Sequence, residues 1–188
     1  MKKGKVIGIA GNARSGKDTT GVMAKGILLE EKEEVSKICG FADLLKKDLD
    51  KLCWDQFGFS AFTSKDQQKT LIRPLLVAYG THVCRAHDER HWIKRMDPTI
   101  KFFTDLGRNV IITDVRYENE AEWIQEKWKG KCIFVHRIGN KPANHEEKIN
   151  SPILKSRADT IINWKTLGGD DFKAKRKVKA ALKRLEVI

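Results

Sequence analysis

A glycine-rich turn, Gly11-Asn12-Ala13-Arg14-Ser15-Gly16-Lys17, joins the apolar run Val6-Ile7-Gly8-Ile9-Ala10 to a helical pattern that begins at Lys17. Its spacing is G-x-x-x-x-G-K. Glycine lets the backbone curl until successive N–H groups point at one anion, and a helix starting there adds the positive end of its dipole. A lysine at the helix start then reaches the same phosphate oxygens. Strand, curl and helix in this order imply an α/β sheet whose ligand lies beyond the carboxyl ends of the strands.

The 188 residues suit one domain with a real core, and 40% hydrophobic with 33% charged residues is a globular composition. The longest apolar runs, such as Cys132-Ile133-Phe134-Val135, fall far short of the ~20 residues of a spanning helix. Met1-Lys2-Lys3 precedes too short an apolar stretch for a secretory signal, so a cytoplasmic location is expected. Cys39, Cys53, Cys84 and Cys132 form no C-x-x-C pair and are read as reduced, small hydrophobes. The excess of 37 basic over 25 acidic residues, +12, favours an anionic partner without separating nucleic acid from nucleotides. In the basic tail, Val178, Ala181, Leu182 and Leu185 repeat at helical spacing. An amphipathic helix with a solvated lysine face accounts for that tail better than a nucleic-acid patch.

Short apolar runs at 5–10, 35–39, 109–113, 131–135 and 160–162 read as strands. Helical patterns over 17–30, 43–57, 66–79, 88–103, 118–129 and 170–185 alternate with them. That alternation predicts a parallel sheet covered on both faces. Pro142 and Pro152 mark one irregular loop late in the chain, and no linker or repeat argues for a second domain.

The G-x-x-x-x-G-K turn in this setting is a P-loop. After Lys17 comes Asp18 and only then Thr19, so a carboxylate stands where a hydroxyl usually ligates Mg²⁺. Asp18 either holds Mg²⁺, directly or through water, or is a helix N-terminal acid favoured by the dipole. The run Asn109-Val110-Ile111-Ile112-Thr113 ends in Asp114, followed by Val115-Arg116 and not by a glutamate that could activate water. A kinase must exclude water and supply cations, a need that Arg14, Arg116 and Arg137 fit.

Gly11 to Thr19, G-N-A-R-S-G-K-D-T, resembles the R-S-G-K-D-T loop of the deoxynucleoside monophosphate kinases of large DNA phages and some bacteria. Phe41-Ala42-Asp43-Leu44-Leu45-Lys46 is similar to that family's F-A-D-P-L-K segment, with Leu44 in place of the proline. The stretch Arg73 to Thr81, then Arg85, Asp88 and Trp92, resembles its R-x-L-L-x-x-x-G-T…R…D…W block. Asp114-Val115-Arg116 with Asn119-Glu120 looks like its D-x-R-x-x-N-E strand end. His136-Arg137-Ile138-Gly139 resembles the V-R-P-G start of its lid, with Ile138 for the proline, and 144–148 lacks a glutamate three residues after His145. Animal phosphomevalonate kinases share the R/K-S-G-K-D loop and a D-T-R strand end, which leaves a non-nucleotide acceptor as one alternative; a nucleic-acid-binding P-loop ATPase that uses the basic tail for phosphate contacts is the other.

The resemblance implies a three-layer P-loop nucleoside monophosphate kinase fold with a central five-stranded parallel sheet. Its core would be 1–40, 105–136 and 157–188, its monophosphate-binding helical region 41–104 and its lid 137–156. The implied reaction is ATP + dNMP → ADP + dNDP with Mg²⁺ as cofactor. ATP and a nucleoside monophosphate are the implied partners, no membrane is involved, and a homodimer is allowed. Gly11, Arg14, Ser15, Gly16, Lys17, Asp18, Thr19 and Arg137 would hold ATP. Lys46, Arg73, Gly80, Thr81, Arg85 and Trp92 would line the acceptor site. Lys17, Arg14, Asp114, Arg116 and Arg137 would act in transfer, with Asp18 and Asp114 at the metal.

Several of these residues have a plainer reading from their types alone. Trp92 is a core aromatic or a base platform. Arg73 and Arg85 are phosphate forks or a solvated helix face. Gly80-Thr81 is a helix C-cap or a donor pair. Glu120 is a partner of Arg116 or a helix N-terminal acid, and His145 is an ordinary loop residue.

Overall fold

The computed structural model describes residues 3–165 and 171–188. The chain divides into two compact units, Met1–Gly40 with Thr99–Ile188, and Phe41–Pro98. The division at Pro98 falls inside a helix.

In the first unit five strands form one wholly parallel sheet: β1 (Val6–Ala10), β2 (Ser36–Cys39), β3 (Asn109–Val115), β4 (Lys131–Arg137) and β5 (Thr160–Trp164). Their order is β2-β3-β1-β4-β5, so the first strand is central. Every residue of β1 is buried, as expected of a parallel strand covered on both faces. The last three strands run past the apolar stretches that announce them, to Val115, Arg137 and Trp164. Backbone pairing continues there after hydrophobicity ends, with Arg137 opposite Trp164.

Helices α1 (Lys17–Lys32) and α7 (Asp171–Arg184) cover one face. Ala24, Ile27, Leu28, Val178 and Leu182 pack there against Ile7, Ile9, Ile111, Ile133 and Val135. Each fully buried aliphatic side chain contributes about 1.5–3 kcal/mol. The amphipathic reading of the tail holds: its apolar stripe is core, while Lys175 and Lys179 reach Glu30 and Glu31 at 2.8 and 2.7 Å. The expected start of that helix at 170 lies outside the described residues. On the opposite face Gly8 admits Ile124, whose Cδ1 would stand 2.8 Å from an added Cβ. Ile124 belongs to a π-helical turn, Trp123–Lys127, that continues the short α5 (Glu118–Glu122).

The segment read as an irregular lid loop contains a helix, α6 (His145–Arg157), with Pro152 inside it. Its start is fixed by Asn144, whose side chain accepts from Glu147 N at 2.9 Å.

The second unit is helical: α2 (Phe41–Phe57), α3 (Asp66–Val77) and the beginning of α4 (His91–Asp105). A π-helical stretch, Ala78–Arg85, extends α3. Leu49, Cys53, Ala61 and Ile72 form its core. All four cysteines are free and buried, and burial pushes the Cys132 thiol up to about 12. Among the described residues no helix is long and apolar enough to cross a membrane.

Candidate active site

The turn after β1 has the backbone its glycines were read to permit. Gly11 has φ +146°, and a Cβ there would lie 2.4 Å from the Val135 carbonyl. Gly16 is left-handed at φ 96° and caps α1. Thr20 N donates to Gly16 O at 2.9 Å, and Ser15 N closes back on Asn12 O at 3.1 Å. Arg14 is left-handed too, at φ 59°, which a non-glycine residue adopts only when the surrounding turn demands it. Ser15 is 1% exposed; its hydroxyl has no protein partner, and its carbonyl accepts the Trp164 indole N–H at 2.7 Å.

Lys17 Nζ donates to the carbonyls of Gly11 and Asn12, both at 2.8 Å. Burial lowers its pKa from the ordinary lysine value, and Arg116 lowers it further; Glu147, Asp18 and Asp114 oppose them. One ammonium is thus set among a guanidinium and three carboxylates. Asp114, half-buried at the end of β3, lies against Gly40: a Cβ there would meet Oδ2 at 2.8 Å. Glu120, 2% exposed, accepts the backbone N–H of Arg116 at 2.8 Å and of Tyr117 at 3.2 Å. Glu120 thus sits as the helix N-terminal acid that caps α5, and it meets Arg116 at the backbone N–H. Arg137 Nη1 donates to Arg14 O at 3.3 Å.

The sequence reading overlooked the contacts that α6 makes with this loop. Glu147 accepts from Ala13 N, with its two oxygens at 3.0 and 3.1 Å, and from Ala143 N at 2.9 Å. Asn140 Nδ2 donates to Ala13 O at 2.6 Å, and Ser151 Oγ donates to Asn12 Oδ1. The spacing Asn144-x-x-Glu147 is a helix-start signature that could have disclosed α6, and with it this carboxylate. Trp164 carries no comparable local signal.

In the second unit, the expected acceptor residues have mixed surroundings. Trp92 is 4% exposed, donates to Gly80 O at 3.1 Å, carries Arg95 5.3 Å above its ring and meets His91 edge-on at 4.6 Å. Its ring is covered as a core aromatic's is. Gly80 and Thr81 belong to the π-helical stretch with Arg85 and do not end a helix. Gly80 is packed against Leu45. Arg73 is exposed on α3, and Lys46 Nζ lies 5.6 Å over the Phe62 ring. Asp48, unforeseen, holds Arg95 through both oxygens and accepts from Tyr79 Oη at 3.2 Å. The Arg95 hydrogen bond lowers the Asp48 pKa. Burial chiefly, with Cys84 and Asp48, pushes the Tyr79 phenol up to about 12.

No family model and no curated protein matches the chain. Among solved structures, APS kinase from Mycobacterium tuberculosis in complex with AMPPNP and APS is 13% identical, covers 99% of both chains and has a TM-score of 0.51. A cysteine-to-alanine mutant of that enzyme gives 14%, 99% of both chains and 0.50. Shikimate kinase from Acinetobacter baumannii in complex with shikimate gives 11%, 100% of this chain and 97% of the other, and 0.49. The likeness to APS kinase is one of fold: a five-stranded parallel sheet with helices.

Proposed function

We propose that this chain is a small-molecule kinase that moves the γ-phosphoryl group of ATP to a deoxynucleoside 5′-monophosphate, giving dNDP and ADP. The observation that carries the reading is Lys17, held on the carbonyls of a loop curled at Gly11 and Gly16 and lying within the electrostatic reach of Arg116. Such a set suits the cancelling of charge on a transferring phosphoryl group. The APS kinase of the same fold is seen in complex with AMPPNP and APS, which accords with two ligands. The acceptor class is supported by the sequence blocks around Lys46, Arg73, Arg85 and Asp114.

A monophosphate has a second pKa of about 6 and attacks through an oxygen already ionised at neutral pH, so no general base is needed. The chain's task is then to align acceptor and donor and to keep water away. Loop amides and Lys17 would hold the triphosphate, and Arg14, Arg116 and Arg137 would meet the equatorial oxygens. Asp18 and Asp114 are the carboxylates that would hold Mg²⁺. Mg²⁺ takes oxygen ligands and keeps several waters, so two carboxylates beside the phosphate oxygens would suffice. When bound, Mg²⁺ neutralises triphosphate charge. The helix-bearing segment 137–156 would serve as the lid.

The test is an acceptor panel read by ADP release, comprising deoxynucleoside monophosphates, ribonucleoside monophosphates, phosphomevalonate, duplex DNA and no acceptor. Release should be fastest with a deoxynucleoside monophosphate. Fastest release with phosphomevalonate would reassign the acceptor, and DNA-stimulated hydrolysis would overturn the kinase reading.

A further inference from the structure

We infer that Glu147 is a displaceable internal anion on the phosphate loop, so that ATP binding and the docking of α6 compete for one backbone donor, the Ala13 N–H; this rests on the kinase reading above. Both Glu147 oxygens lie at hydrogen-bonding distance from that nitrogen. Ala13 sits inside the curl whose N–H groups are the anion donors, between left-handed Gly11 and Arg14. A single N–H cannot serve a carboxylate and a phosphate oxygen together, and two anions a few ångströms apart repel. Triphosphate binding therefore evicts Glu147.

Eviction has a defined mechanical result. The first turns of α6 are fastened to the loop region by Glu147, by Ser151 on Asn12 and by Glu146, whose Oε2 accepts from Tyr117 Oη at 2.9 Å. The far end is tied separately, through Arg157 to Glu118 at 3.0 Å and Glu122 at 3.2 Å. The Asn144 cap is internal to the helix and survives the loss of the Ala13 contact. So α6 keeps its cap and its ties through Ser151, Glu146 and Arg157 and does not unravel, while its start loosens from Ala13.

Calorimetry of the full chain with ATP in magnesium buffer tests this with two neutral isosteres. Glu147→Gln should tighten ATP binding on the order of five- to tenfold, by removing a like charge and a charge-assisted contact. Glu146→Gln removes the same charge from the same helical turn without touching Ala13 and should change affinity by less than about twofold. Amide exchange without added nucleotide should show faster exchange at Ala13 and across the first turns of α6 in Glu147→Gln than in the wild type. Unchanged or weakened ATP binding in Glu147→Gln, or equal tightening in Glu146→Gln, overturns the competition. Absence of binding heat from all three proteins overturns the kinase reading and the competition with it, while the exchange comparison reports separately whether Glu147 fastens α6.

Discussion

The indole N–H of Trp164 donates to the Ser15 carbonyl at 2.7 Å, tying the end of β5 to the glycine-rich loop across 149 residues of sequence. The indole thus holds the carbonyl of a buried loop residue in place. Trp164→Phe keeps the ring and removes the donor, and should cost about 1–3 kcal/mol of stability. Urea unfolding checks this, and the ATP dissociation constant should rise by about three- to tenfold as the loop loses its anchor. Unaltered stability and affinity would show that the contact is idle.

Lys17→Met should lower phosphoryl transfer by at least on the order of 10²- to 10³-fold with the fold retained by circular dichroism. Its pH behaviour is a second readout. The native pKa of Lys17 is lowered, chiefly by burial, from the ordinary 10.5. Between the native and unfolded values the unfolded chain binds the extra proton, so wild-type stability rises with pH in that window. The variant has no such group. The stability difference, variant minus wild type, should be greatest near neutrality and fall as pH climbs toward the ordinary lysine value. Parallel stability curves would mean that no buried charge is being titrated.

Gly40→Ala places a methyl 2.8 Å from Asp114 Oδ2, and the carboxylate must move. We expect an overpacking cost of about 1–3 kcal/mol. The Mg²⁺ concentration that half-saturates transfer should rise about tenfold, the scale of a disturbed ligand, with metal-free ATP binding unchanged. An unaltered Mg²⁺ requirement would remove Asp114 from the metal.

Glu120→Ala leaves the N–H groups of Arg116 and Tyr117 without the carboxylate that receives them. A loss of about 2–5 kcal/mol is expected in thermal or chemical unfolding. Glu120→Gln retains one carbonyl acceptor and should recover part of that loss; equal damage from both variants would make charge, not acceptance, the decisive property.

Much of the first unit was legible because parallel strands buried on both faces are short apolar runs, and the G-x-x-x-x-G-K curl states its own backbone. Lys17 and Arg116 are proposed from their places after β1 and β3, and Asp114 from closing the apolar run of β3. Segment 137–156 was misread because Pro142 and Pro152 suggest interruption, while the signal for a helix was the polar pair Asn144 and Glu147 at its start. The π-helical stretches Ala78–Arg85 and Trp123–Lys127 have no periodicity of their own to betray them. Trp92 shows the limit of residue type: an indole suits a base and a core equally, and its burial and bonded nitrogen are visible only in the fold. The contacts of Glu147 and Trp164 join segments far apart in sequence, where spacing carries no information.

The central position of β1 fixes the order in which the sheet can be completed. Its flanking strands begin at Asn109 and Lys131, so on the ribosome the first strand made emerges long before either neighbour exists. Loop closure over such separations slows folding, and an apolar strand with two open edges invites wrong pairing meanwhile. A nascent chain of this design should therefore lean on chaperones until β4 has left the exit tunnel, and refold from denaturant in higher yield when dilute.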